Sequence, residues 1–266
     1  MSIRNEIYNL ELQTEIAMKQ IFILLIALIF INQVDSQCTL NNGSSVSSGS
    51  ISSTGNSTLD AFIQSEKIKM EQFFNVTVDL KIYSGNNGLA KRTSVNSKYN
   101  GTIELGKGLM IFEYNKKGPV TKESIGKYMV MSIMAHEFAH IYQYAHPEYV
   151  FKSGVIQEIH ADMIAGYYMA KYLMNNAGTD ITFDYEAQKK ISNYMSDMGI
   201  SFGWLGDTQY WSQEHHGNYY TRAVAFQEPW RCLSGSPTRF SCRSFSEFLS
   251  TSVSNAEYHV STFDKD

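Results

Sequence analysis

One apolar stretch carries an island of groups that a protein core does not accept without compensation. Residues 127–145 read KYMVMSIMAHEFAHIYQYA, with His136, Glu137 and His140 set among methionines, isoleucines and aromatics. The length and pattern predict a core helix. In a helix, residues four apart lie about 40° apart around the axis, with Cβ atoms roughly 6 Å from each other. His136 and His140 can therefore reach one ion, and Glu137 flanks them. Two buried imidazoles and a buried carboxylate are costly unless a metal or a charge partner takes them up. The pattern H-E-x-x-H supplies two metal ligands and a general base.

A third ligand must come from elsewhere, and the sequence offers two candidates. His146 stands six residues after His140. Reaching the ion from there requires a sharp turn after the second histidine, which glycine at 143 would allow. The residue is Gln143. If the helix continues, His146 lies about 240° round from His140, off the metal face, and Pro147 after it marks a helix end. The other candidate is Glu158, on a second expected helix at 155–175. Asp162 stands four residues on and faces the same way. Glu158 is thus expected as ligand and Asp162 as the acceptor for the outer N–H of a ligand histidine. His160 falls on the opposite side of that helix and is expected at the surface.

HEFAHIYQ (136–143) followed by EIHADMIAG (158–166) resembles the neutral zinc metallopeptidase family of the gluzincin class. That family carries HE-x-x-H-x-x-Q and then E-x-x-A-D-x-x-A-G. A third block, HGNYYTR (216–222), matches its downstream H-G-x-x-x-x-R. The likeness spans roughly residues 74–230; Ala139 stands where the family often has glycine. The resemblance implies a zincin-like metallopeptidase domain with one Zn²⁺ per chain, held by His136, His140 and Glu158. It implies hydrolysis of peptide bonds by an endopeptidase, through a zinc-activated water with Glu137 as general base. It also implies His216 as a catalytic donor to the developing oxyanion. Arg222 is expected to pair with a site carboxylate.

The rest of the chain indicates export. Met18-Lys19-Gln20 precedes the apolar run IFILLIALIFI at 21–31, which has the form of a signal peptide. As a helix the run measures roughly 16 Å, about half a bilayer core. A secreted or secretory-pathway protein without a stable membrane anchor is expected; a signal-anchored protein is the alternative. Asn42, Asn56, Asn75 and Asn100 each begin an N-glycosylation sequon. Cys232 and Cys242 flank a loop-like stretch and are candidates for a disulfide in an oxidising compartment. Charged residues are 18% of the chain and the net charge is −4; no basic patch stands out, which argues against nucleic acid as a partner.

Organisation follows from these signals. Residues 1–36 read as signal peptide with an upstream extension and 37–59 as a Ser/Gly/Asn-rich linker. Residues 60–232 read as the metallopeptidase domain and 233–266 as a Ser-rich tail that can pack on it. Strands are expected at 76–83 and 101–112 and helices at 60–73, from 118 through the histidine motif, at 155–175, 183–199 and 217–228. Strands first and helices after make an α+β fold: a small N-terminal sheet and a mainly helical part. The 101–112 segment is expected as an edge strand to which an extended peptide substrate adds. The rival function is a catalytically inactive, zinc-binding secreted glycoprotein used in adhesion or recognition.

Overall fold

The computed structural model of the chain describes residues 36–39, 49–93, 97–149, 151, 153–178, 184–205, 217–235, 242 and 244–263. Five strands make one mixed sheet: β1 (Ser36–Thr39), β2 (Ser50–Ile51), β3 (Val78–Tyr83), β4 (Asn87–Arg92) and β5 (Gly101–Gly106). Their order across the sheet is β1-β4-β5-β3-β2. Only β3 and β5 run parallel; the other neighbours are antiparallel. Among the described residues there are seven helices: α1 (Ser57–Phe74), α2 (Lys107–Tyr114), α3 (Gly126–Ala145), α4 (Gly154–Asn175), α5 (Tyr185–Gly203), α6 (Tyr219–Leu233) and α7 (Phe245–Phe263). The architecture is α+β and mostly helical. Residues 35–266 form one compact unit.

Helix α3, which holds the histidine motif, is the centre of the packing. It touches α1, α2, α4 and α5, and also β4 and β5. From Met129 to Ile141 every residue is buried, as expected of a helix that is apolar all round. The sheet lays Gly88 and Ala90 of β4 and Ile103 and Leu105 of β5 on one face, paired across the ladder. The small residues let α3 come close. A Cβ on Gly88 would lie 2.8 Å from Glu137 Oε1 and 3.4 Å from Ile133 Cγ2.

Helices α4 and α6 are locked by a backbone contact. A Cβ on Gly166 of α4 would lie 2.0 Å from the carbonyl oxygen of Phe226 on α6, so only glycine permits this crossing. The crossing brings Arg222, one turn before Phe226, beside Asp162, one turn before Gly166.

Several boundaries differ from the sequence reading. Residues 101–112 are not one strand: β5 ends at Gly106 and α2 begins at Lys107. Nor is β5 an edge, because β4 and β3 flank it; strand addition there is closed. Between the two expected strands lies a further one, β4 from Asn87, whose sequence NGLAKR lacks the alternation that marks strands. The helix expected from residue 118 starts at Gly126. Before it, Asp197 accepts hydrogen bonds from Val120 N, Thr121 N and Thr121 Oγ1, which holds residues 118–125 as a turn. β1 begins at the last residue of the stretch read as signal peptide and continues into the stretch read as a linker, which also contains β2. The Ser-rich tail contains α7, packed on α4 and α6.

Aromatic contacts explain how a serine-rich helix docks. Phe245 and Phe248 pack against Tyr167 at centroid distances of 5.3 and 4.6 Å, and Phe245 also meets Phe73 at 5.0 Å. Phe248 is fully buried. Replacing a buried phenylalanine by alanine removes apolar contact and leaves a cavity. Phe248→Ala should lower unfolding free energy by about 3–5 kcal/mol, read as a lower urea midpoint at unchanged slope.

Candidate metal centre

His136 and His140 sit one turn apart on α3, and Glu158 enters from the first turns of α4. All three side chains are buried. His136 Nε2 and His140 Nε2 are 2.9 Å apart. Glu158 Oε2 lies 3.2 Å from the first and Glu158 Oε1 3.4 Å from the second. Among the described residues this is the group of three or more His, Cys, Asp or Glu side chains whose ligand atoms converge, all within 4.8 Å of one another. A tetrahedral zinc with ligands at about 2.0–2.1 Å requires ligand–ligand separations near 3.3 Å, close to those seen.

The outer nitrogens of both histidines are spoken for, and this fixes what the inner ones can do. His136 Nδ1 lies 2.8 Å from Asp162 Oδ1. That carboxylate also accepts from Arg222 Nε (2.8 Å) and Nη2 (2.7 Å), so His136 Nδ1 is a donor. His140 Nδ1 lies 2.8 Å from Gln143 Oε1. The amide is oriented by Gln143 Nε2, which donates to the Gln157 carbonyl at 2.9 Å; Oε1 must accept, so His140 Nδ1 donates. Both Nε2 atoms therefore carry lone pairs. Two imidazole lone pairs and a carboxylate aimed at one point, away from water, repel unless a cation sits among them. The donor set, two nitrogens and one oxygen, is one that suits zinc. Burial and the neighbouring His136 push the His140 pKa down, against the pull of Glu158, which keeps the ring neutral and able to ligate.

Glu137 is buried on the same turn, under the bare Cα of Gly88. Arg222 is fully buried. Besides gripping Asp162 with two bonds, it donates from Nη1 to the Leu205 carbonyl at 3.2 Å, and its guanidinium lies 4.9 Å over the Phe202 ring. The expected pairing of Arg222 with a site carboxylate is the geometry found.

Other expected positions fall elsewhere. His146 caps the end of α3, 40% exposed, beside Glu148 at 3.1 Å and stacked on Tyr142; it does not face the ligand cluster. His160 was expected at the surface and is instead fully buried, between Gln143 and Ser252. Its side of α4 is covered by α7, a helix not anticipated in the tail. His216 and Asn42 lie outside the described residues, as does the apolar run 21–31. Among the described residues, no helix is long and apolar enough to cross a membrane. Asn56, Asn75 and Asn100 are exposed; Asn56 caps α1 through its Oδ1. Cys232 and Cys242 are joined in a disulfide.

Two site residues escaped a role in the sequence reading. Gln143 follows His136 and His140 at seven and three residues, hence on the same face, and that spacing is the signal that could have assigned it. Gly88 had no signal beyond being a glycine. Comparison with protein-family models, with curated proteins and with solved structures finds no match for this chain.

Two predictions follow from the buried charges. Arg222→Leu leaves Asp162 and its proton-sharing histidine without their cation, and should cost about 3–5 kcal/mol of stability, measured by chemical denaturation at neutral pH. His160 is pushed down to about 3 from 6.5 by burial and by His140. Below about pH 6.5 the unfolded chain takes up a proton at this residue that the folded chain refuses. The metal-free protein should therefore lose up to about 1.4 kcal/mol of stability per pH unit from this group as pH falls from 6.5 towards 3. His160→Gln, compared over the same window, should flatten the slope by that amount.

Proposed function

We propose that the protein is a secreted zinc-dependent metallopeptidase, an endopeptidase that cuts extended peptide segments. The observation that carries the reading is the buried convergence of His136 Nε2, His140 Nε2 and Glu158, with the outer nitrogens of both histidines committed to Asp162 and Gln143. One Zn²⁺ per chain, held by His136, His140 and Glu158, would supply Lewis acidity for the scissile carbonyl and for the attacking water.

The chain's own groups do the rest. Glu137 stands beside the ligand pair and takes the proton from the attacking water on its carboxylate; it then delivers that proton to the leaving amine. Asp162 and Gln143 hold the two imidazoles in the tautomer that presents Nε2. Arg222 holds Asp162 in place by its two-pronged contact. The resemblance adds His216 as a donor to the developing oxyanion. The backbone that approaches Glu137 belongs to β4 through Gly88, so the sheet meets the site at β4 and not at β5. A catalytically inactive zinc-binding protein would have no use for a buried glutamate at position 137.

The discriminating experiment measures zinc per chain and peptidase activity together. Wild type should carry one zinc. Glu158→Ala should lose it on dialysis, while His146→Ala keeps it. Glu137→Gln should retain zinc and lose about 10²–10⁴-fold in peptidase rate. Full proteolysis by zinc-loaded Glu137→Gln, or zinc retained without Glu158, sinks the proposal.

A further inference from the structure

The geometry points to a hydrogen-bond relay through which the C-terminal helix fixes the tautomer of His140: we propose that Ser252 and His160, acting through Gln143, are positioning residues for the metal centre. The consequence for metal rests on the metallopeptidase reading; the tautomer does not.

Every link has a direction that the next one enforces. Ser252 Oγ donates to the Leu249 carbonyl at 2.9 Å, so its lone pair accepts from His160 Nε2 at 2.7 Å. With its proton on Nε2, His160 Nδ1 is an acceptor, and Gln143 Nε2 reaches it at 3.0 Å. The same amide nitrogen donates to the Gln157 carbonyl at 2.9 Å. Gln143 Oε1 is thereby turned to His140 and accepts from its Nδ1 at 2.8 Å. His140 is left with a bare Nε2 facing His136 and Glu158. Ser252, His160, Gln143 and His140 are all fully buried, where water cannot replace a lost partner and a mismatch costs a desolvated polar group.

Breaking the far end lets the chain reverse. Without the Ser252 hydroxyl, His160 has no acceptor for its Nε2 proton. Moving that proton to Nδ1 would set it against the Gln143 amide hydrogens, which favours an amide flip. The flipped amide would point Nε2 at His140 Nδ1 and drive the His140 proton onto Nε2, the atom that must ligate. The Gln157 carbonyl opposes the flip, so the two arrangements compete.

The test uses Ser252→Ala, with Ser252→Thr as the variant that retains the hydroxyl and Phe248→Ala as a control that loosens the same helix outside the relay. Long-range ¹H–¹⁵N NMR of the metal-free, histidine-labelled protein reads the tautomer of His140 directly. The expected result is a Nδ1-protonated His140 in wild type and Ser252→Thr, and a substantial Nε2-protonated population in Ser252→Ala. Zinc affinity, by competition with a chromophoric chelator, should fall about 10- to 100-fold in Ser252→Ala and stay near wild type in Ser252→Thr and Phe248→Ala. An unchanged His140 tautomer in Ser252→Ala overturns the proposal. So does an equal loss of zinc affinity in Phe248→Ala, which would make the effect one of packing. A wild-type protein that binds no zinc would refute the metallopeptidase reading, and the tautomer measurement would still decide the relay.

Discussion

Two neutral imidazoles and a carboxylate present their lone pairs to one another inside an apolar helix packing, and a connected set of buried polar side chains enforces that arrangement. Unaided, each of these groups would prefer water, and the two rings would prefer tautomers that bond to each other. Asp162 and Gln143 prevent that by engaging the outer Nδ1 atoms as acceptors. Each of them is in turn held: Asp162 by the Arg222 guanidinium, Gln143 by the Gln157 carbonyl and by His160. The scaffold thus carries an electrostatic tension that a cation held among the three groups would relieve.

The apolar core is arranged so that this tension does not pull the site apart. α3 contacts both the sheet and three of the longer helices, and small residues at two crossings, Gly88 against Glu137 and Gly166 against Phe226, set the spacing. Close backbone approach fixes helix positions more tightly than side-chain packing does, because no rotamer can absorb an error. Arg222 can grip Asp162 with two short bonds only because α6 rides on α4 at that distance.

The amino-acid pattern gave away the inner ring of the site and little of the outer one. His136, Glu137 and His140 follow from helical spacing, and Glu158 with Asp162 from a second helix with the same four-residue step. Both are local periodicities within one element. Gln143 obeys the same rule, yet a glutamine on a helix face says nothing until its partners are known. Ser252 and His160 meet across 92 residues, and no local pattern can announce such a pair. The helices were found where apolar periodicity is strong. β4 was missed because glycine, alanine, lysine and arginine dominate it, and it is a strand only because β5 and β1 pair with it. α7 was missed because its buried residues, Phe248, Leu249, Ser252, Asn255, Ala256 and His259, are half polar. The polar members of that set include the one that reaches the site.

The disulfide between Cys232 and Cys242 joins the helix that carries Arg222 to the start of the helix that carries Ser252. This bears on the order in which the molecule is made. The histidine helix leaves the ribosome ahead of its supports: the guanidinium that anchors its first ring and the hydroxyl at the end of the relay to its second come 60 residues or more after their partners. Long loops must close before either contact forms. The contacts that aim the cluster therefore form after its members are made, so that a half-made chain holds His136, His140 and Glu158 but not the means to aim them.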